Sequence, residues 1–192
     1  MLPTSLVIDD AEYRIDPSFE NCLNIIQMYE DPELLDSTKV RTMIQLLFLD
    51  PPPLTTETLK EAVAFLDGGN DSVVPKAVAN ASRVFSFDQD MKYIRAAVQR
   101  THGVNLREQS DLHWWKFLDM FIDLDEDTLF SRMLQLRHAK AKGKLTKEEK
   151  KLWAEMKDIL VLKTPETLQA EIATDEIEKE LTRLESLSKG KG

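Results

Sequence analysis

Residues 86–103, with the sequence SFDQDMKYIRAAVQRTHG, predict one complete amphipathic helix. The stretch opens with a capping-box pattern, in which a serine side chain and a glutamine three residues later satisfy free backbone N–H groups. Gly103 follows it, and glycine readily takes the left-handed conformation in which many helices end. Met91, Ile94, Ala97 and Val98 recur at helical spacing and form one apolar face. Such a face requires other elements to pack against.

Helical patterns occupy most of the remaining chain. Pro17, Thr55 and Thr146 stand at predicted helix starts, whereas prolines 51–53 and glycines 68–69 stand at predicted ends. Only 7% of the residues are aromatic, which is too few for a β-sandwich. The sequence therefore predicts a mainly α fold, a multi-helix bundle with a short N-terminal β-hairpin and a long C-terminal helix.

The hairpin is predicted over residues 5–15. Two short apolar segments, at residues 5–8 and 11–15, flank the turn pair Asp9-Asp10. A lone hairpin has marginal stability in water, so we expect it to lie against helices.

The long C-terminal helix is predicted to begin near Pro165 as an arm with a narrow apolar seam. About one apolar residue per turn lies on a charged helix, and solvent does not satisfy such a seam. We therefore expect it to bind the body of the protein, a second copy or another chain. Its apolar residues are Leu168, Ile172, Ile177, Leu181 and Leu184, of which the last four are candidate partner-binding residues.

Charged residues are distributed unevenly along the chain. Residues 1–136 carry 12 basic and 23 acidic side chains, a net charge of −11, whereas residues 137–192 carry 13 and 11, a net charge of +2. We expect an acidic helical body with the hairpin at 1–136, a basic linker and helix at 137–163, and a C-terminal arm with a disordered tail at 164–192. The conformation of residues 70–85 is left open by their mixed composition.

The composition also restricts the class of protein. The net charge of −9 disfavours binding to duplex DNA, which requires a basic face. Cys22 is the only cysteine, so an intrachain disulfide and a cysteine-based zinc site are excluded, and its place on an apolar stripe predicts a core residue. The N-terminus lacks a signal-peptide pattern, and apolar runs such as Leu46 to Leu49 are far shorter than a membrane span. We expect a soluble intracellular protein.

No motif predicts catalysis or a cofactor. The chain has no phosphate-binding glycine loop, and its three histidines occur singly. Two aspartate clusters, at residues 88–90 and 123–127, have two interpretations: a divalent-cation site, or carboxylates that favour helix N-termini. We favour the second interpretation, and we expect a protein that is not an enzyme and holds no metal or cofactor.

Two features are candidate partner-binding surfaces. The Trp114-Trp115 pair, on a helix predicted to be capped by Ser110-Asp111, indicates a central core helix, or alternatively a Trp114 ring that anchors a partner. The basic stretch 137–151 indicates a solvated linker, or alternatively an electrostatic docking site for an acidic protein or nucleic acid. Its candidate residues are Lys140, Lys142 and Lys144.

Several motifs resemble the bacteriophage gene-product-fifteen family, from tailed phages and prophages of Gram-positive bacteria. The resemblance covers roughly residues 5–160, and the DLHWWKF run is its most specific part. The proline-rich turn at 51–53 and the tail after Leu162 depart from the family. The motifs are LVID at 6–9, YRI at 13–15, DPSF at 16–19, FDQD at 87–90, YIRAA at 93–97, DLHWWKF at 111–117, and FS at 130–131 leading to Arg137.

The resemblance implies a phage tail assembly chaperone. Such a protein binds the tape-measure protein, assists ordered assembly of the tail tube and performs no covalent chemistry. Its implied partners are the tape-measure protein and the tail-tube protein. The apolar seam of the C-terminal helix makes a second copy a further candidate partner, and we expect no membrane or nucleic-acid partner. Its implied location is the host cytoplasm and not the mature virion. The alternative is a structural tail or head–tail connector protein that stays in the virion.

Overall fold

The computed structural model describes residues 2–31, 33–69 and 84–163. Within these residues the chain is mainly helical, with one two-stranded hairpin at the N-terminus, as predicted. The predicted C-terminal helix, the tail after it and most of the stretch 70–85 lie outside the described residues. The elements are β1 (Ser5–Ile8), β2 (Ala11–Arg14), α1 (Phe19–Glu30), α2 (Asp36–Leu47), α3 (Thr56–Leu66), α4 (Phe87–His102), a 3₁₀ turn (Leu106–Glu108), α5 (Trp114–Ile122), α6 (Leu129–Ala141), α7 (Lys147–Glu155) and α8 (Lys157–Leu160).

The hairpin has the predicted strands and turn. Strands β1 and β2 pair antiparallel, with Ser5 opposite Arg14 and Ile8 opposite Ala11. Asp9 and Asp10 both have positive φ, at 50° and 63°, which is the geometry of a two-residue turn that matches the twist of the strands. Strand β1 packs on α3, and Ile8 is buried there in the main core. Helical packing thus supports a hairpin that would be marginal alone.

Local caps set several helix ends as the sequence predicts. The Ser86 side chain accepts from the Gln89 backbone N–H at the start of α4, and Thr146 and Glu149 form a complete capping box on α7. Gly68 and Gly69 take positive φ, at 79° and 80°, after α3. These caps pair backbone groups that have no partner within the helix.

The predicted start of α5 is wrong. Helix α5 begins at Trp114 and not after Ser110-Asp111, because His113 is its cap. His113 Nδ1 accepts from the Trp115 backbone N–H at 3.1 Å, while Nε2 lies 2.9 Å from the carbonyl oxygen of Pro3. The ring therefore carries its proton on Nε2, which donates to Pro3.

Aromatic rings form the centre of the main core. Phe19 of α1 lies 4.4 Å from Phe117 of α5, centroid to centroid, and Trp114 stacks on Phe117 at 5.3 Å. Phe87 of α4 packs edge-on against Trp114. A smaller cluster of Met133, Leu136 and Leu160 joins α6 to α7 and α8. Residues Met1–Leu160 belong to one compact unit.

Candidate partner-binding surfaces

Trp114 lies in the core, with 1% of its surface exposed. Its indole Nε1 donates to the carbonyl oxygen of Leu66 at 2.8 Å, and Trp115 Nε1 donates to that of Phe65 at the same distance. These carbonyls belong to the last turn of α3, and the Phe65 carbonyl also accepts from the Gly68 backbone N–H at 3.1 Å. The burial of Trp114 supports the core interpretation, in which the tryptophan pair closes the end of α3.

The absence of a side chain at Gly69 allows the Trp115 ring to approach the backbone closely. A Cβ atom at Gly69 would lie 2.8 Å from Cη2 of Trp115 and 3.0 Å from its Cζ2. Only glycine combines that close approach with a φ of +80° at low cost. The glycine pair predicted as a helix terminator is thus also a contact surface for Trp115.

Within the basic stretch 137–151, some side chains lie on the surface, whereas that of Arg137 lies in the core. Lys140 is exposed, with its ammonium 5.6 Å from the Trp153 ring centroid, and Lys142 and Lys144 are exposed just beyond α6. Lysines at a helix C-terminus are favoured by the helix dipole, which gives them a structural role independent of any partner. Arg137, which opens the same basic stretch, is buried rather than solvated as the pattern predicts. The stretch is also not a linker at its start, since α6 continues to Ala141.

The guanidinium of Arg137 pairs with Asp90 and joins four parts of the fold. It makes a bidentate ion pair with Asp90, and both side chains are at least 95% buried. Each of its five N–H groups has an acceptor, so the buried charge is fully hydrogen-bonded. The bonds are Nε to Leu160 O at 2.7 Å, Nη1 to Asp90 Oδ2 at 2.6 Å and Val84 O at 3.1 Å, and Nη2 to Asp90 Oδ1 at 3.0 Å and Ile159 O at 2.8 Å.

The start of α4 is capped by two acidic side chains. Asp90 Oδ2 accepts from the Ser86 backbone N–H at 3.0 Å. Glu30, the last residue of α1, accepts from the Phe87 backbone N–H at 3.1 Å and from the Ser86 hydroxyl. The helix dipole adds to both interactions. Asp90 thus has the capping role rather than the cation-binding one, and Glu30 is a partner that sequence spacing does not indicate.

Cys22 is the predicted core residue. It has no exposed surface, and burial, with a smaller contribution from Asp16, raises the pKa of the thiol to about 12. A thiol with that pKa is protonated at neutral pH and is a poor nucleophile.

Exposed apolar side chains lie on β1, on α2, on the connection between α2 and α3, and on α3, and we call them together the hairpin-edge surface. Strand β1 packs on α3, and the Leu49 backbone N–H donates to the carbonyl oxygen of Arg14 at the end of β2. Helix α2, which precedes Leu49, also packs on α3. The exposed apolar residues are Val7, Leu46, Leu49, Leu54 and Val63.

The prediction of which side chains face the core is wrong at two positions. Spacing predicts that Val63 and Ile122 face the core, but Val63 is 48% exposed and Ile122 is 82% exposed. Phe65 takes the buried position on α3, and Trp114 and Phe117 take it on α5. The remaining candidate residues, Ile172, Ile177, Leu181 and Leu184, lie outside the described residues.

The described chain is therefore a helical protein whose tryptophan pair and buried charges hold the fold, while apolar side chains remain on its surface. No helix in the described ranges is long and apolar enough to span a membrane. The family model for the Bacteriophage Gp15 protein matches residues 1–162, and the chain belongs to that family. It is thus a bacteriophage structural or assembly protein. No curated protein and no solved structure matches the chain significantly.

Proposed function

We propose that the protein is a phage tail assembly chaperone that binds the tape-measure protein and assists ordered assembly of the tail tube, without catalysis. Membership of the Bacteriophage Gp15 protein family supports the assembly class. The single structural observation that carries the proposal is the hairpin-edge surface, where apolar side chains at Val7, Leu49 and Leu54 are each at least half exposed. A contiguous exposed apolar patch is typical of a binding surface, and the proposal takes these side chains as one such patch.

In this mechanism the body is a scaffold that presents the hairpin-edge surface to an apolar stripe of the tape-measure protein. A long helical client exposes such stripes, and covering them prevents aggregation. The net charge of −9 keeps the chaperone and its complex soluble by charge repulsion. The protein acts in the host cytoplasm and leaves before the virion is complete.

The C-terminal arm has a separate proposed role, in self-association or client binding through Ile172, Ile177, Leu181 and Leu184. Truncation after Lys163 tests it. A changed oligomer size or weaker capture of the tape-measure protein supports this role, and unchanged values for both remove the arm from the mechanism.

The hairpin-edge surface is tested by capture of the tape-measure protein with purified variants. The variant Leu46→Gln/Leu49→Gln/Leu54→Gln is expected to lose capture, because it removes apolar area from the contact. The matched control is Ile122→Gln, which changes an even more exposed apolar side chain elsewhere, and it is expected to retain capture. Equal capture by both variants contradicts the proposed surface.

Quantitative mass spectrometry of purified virions separates the chaperone from the alternative, a tail or connector subunit. We expect the protein in infected cells and only in traces in virions. A stoichiometric amount in virions contradicts the chaperone proposal and supports the structural alternative.

A further inference from the structure

A polar cleft of about 320 Å³ lies between α1, α4 and the 3₁₀ turn. Its volume falls at the lower end of the range for ligand-binding pockets. It is lined by three polar residues of α1, by two arginines and by three buried apolar side chains. The residues that matter for the ligand are Glu20, Asn24, Gln27, Arg95, Arg107 and Leu106.

Arg95, which lines this cleft, has one unsatisfied donor. Its Nε is buried and has no hydrogen-bond partner within the described residues. A buried donor without an acceptor is destabilising, and such groups in native proteins generally have a water, an ion or a ligand as a partner. The orphaned Nε is therefore a donor for which a ligand that draws the Arg95 side chain toward the cleft can supply the acceptor.

Neither guanidinium of the cleft is neutralised by a carboxylate. Within residues 2–31, 33–69 and 84–163, no carboxylate oxygen lies within 4.0 Å of Arg95 or Arg107, although Glu20 lines the same cleft. The contrast with Arg137 is direct, since Arg137 has a bidentate carboxylate and an acceptor for every N–H group. Arg95 and Arg107 thus present two positive charges to one cleft with their ligand positions open.

We propose that this cleft binds an acidic segment of a partner polypeptide, with a side-chain carboxylate held by Arg95 and Arg107. A guanidinium matches the two oxygens of a carboxylate in a bidentate geometry. Asn24 and Gln27 lie one turn apart on α1 and both line the cleft, so their amides are available to the backbone or polar side chains of the same segment.

Two observations favour a carboxylate over a phosphorylated ligand or nucleic acid. Glu20 reduces the positive charge of the cleft, which disfavours a doubly charged phosphate. The chain as a whole carries a net charge of −9, which repels a polyanion such as nucleic acid more strongly than a short segment with one or two carboxylates. The site goes beyond the proposed chaperone function, because it specifies the charge of a bound segment and not the identity of the client.

The experiment measures fluorescence anisotropy of a labelled, alanine-based helical peptide that carries glutamate pairs, titrated with the full chain. The comparison peptide has each glutamate replaced by glutamine. The protein variants are Arg95→Gln, Arg107→Gln and Arg95→Lys, and the matched control is Arg132→Gln, which removes an exposed arginine on α6. Inorganic phosphate serves as a competitor.

The glutamate peptide is expected to bind, and Arg95→Gln to weaken its affinity by about tenfold or more, because a charge-assisted hydrogen-bond pair is lost. Arg95→Lys is expected to weaken it also, since lysine keeps the charge without the planar fork. Arg132→Gln is expected to leave affinity unchanged. The proposal is overturned if the glutamate and glutamine peptides bind equally. It is also overturned if Arg132→Gln weakens the affinity as much as Arg95→Gln does.

Two further results would overturn it. Displacement of the glutamate peptide by low concentrations of phosphate would assign the cleft to a phosphorylated ligand. A large drop in the melting temperature of Arg95→Gln would show that Arg95 serves the fold, whereas the orphaned Nε predicts little loss of stability. None of these outcomes involves the tape-measure protein, so failure here is distinguishable from failure of the proposed function.

Discussion

Replacement of Arg137 by methionine tests how much the buried ion pair of Arg137 and Asp90 contributes to the free energy of unfolding. The variant Arg137→Met keeps a long, unbranched side chain but removes five N–H donors. It leaves the Asp90 carboxylate buried with the Ser86 backbone N–H as its remaining donor, and it removes a donor from three backbone carbonyls. Removal of one partner from a buried ion pair costs about 3–5 kcal/mol. We therefore expect the free energy of unfolding to fall by about that amount, a large part of the 5–15 kcal/mol typical of a domain.

The assay is urea unfolding followed by far-UV circular dichroism and by tryptophan fluorescence. Coincident curves from the two probes establish that a two-state free energy is meaningful. The matched control is Arg132→Met, on the exposed face of the same helix, and it is expected to change the free energy by about 0.5 kcal/mol or less.

A double-mutant cycle isolates the ion pair. The variant Asp90→Asn keeps an oxygen acceptor for Ser86 but removes the negative charge, so Arg137→Met combined with Asp90→Asn is expected to cost less than the sum of the two single changes. A cost for Arg137→Met alone within about 1 kcal/mol of zero would refute the reasoning, because it would mean that the paired charge is not needed for stability.

Three further changes test other parts of the fold. Gly69→Ala should lower the free energy of unfolding by about 1–3 kcal/mol more than Gly103→Ala, because both residues have positive φ but only a Cβ at Gly69 meets the Trp115 ring. Glu30→Ala should lower it by about 1.5–3 kcal/mol, because the start of α4 loses a charged hydrogen-bond acceptor. Cys22 should react with a thiol reagent at pH 8 only as fast as the protein opens, because its pKa of about 12 is raised by burial.

Each of these predictions has a result that contradicts it. If Gly69→Ala and Gly103→Ala lower the free energy of unfolding in urea by the same amount, contact with Trp115 does not cause the difference that we expect. A Glu30→Ala variant as stable as the wild type would show that the cap is not needed. Rapid labelling of native Cys22, at the rate seen in denaturant, would contradict its burial.

The Cys22 thiol also gives stability a defined dependence on pH. Burial raises its pKa in the folded state to about 12, above the ordinary value of 9.0. Its contribution to stability is therefore fully present below pH 9 and is lost as pH rises toward 12, because the unfolded thiol ionises first.

Short-range signals in the sequence locate most elements. The caps at Ser86 and Thr146 and the glycines at 68–69 act within one helical turn, so their effect is visible in a few residues. The prediction for the start of α5 is wrong for a physical reason. Ser110 and Asp111 are stronger cap residues than histidine by local propensity, but His113 is held by Pro3, which lies 110 residues earlier in the chain.

The buried charges depend on contacts that sequence spacing does not show. Arg137 stands among lysines, which predicts a solvated side chain, although it follows Phe130 by seven residues and Met133 by four, on the buried face of α6. That spacing is the signal that could have identified it. Its partner Asp90 lies on another helix, and Glu30 meets Ser86 across 56 positions of the chain. The cleft at Arg95 likewise combines distant elements, so no local pattern predicts it.

Sedimentation of the tape-measure protein, expressed with and without this chain, tests most directly whether the chain supplies apolar surface to a client. We expect the tape-measure protein to stay in the soluble fraction with the wild-type chain and to pellet both alone and with Leu46→Gln/Leu49→Gln/Leu54→Gln. The same pelleted fraction with and without the wild-type chain would contradict the proposed function.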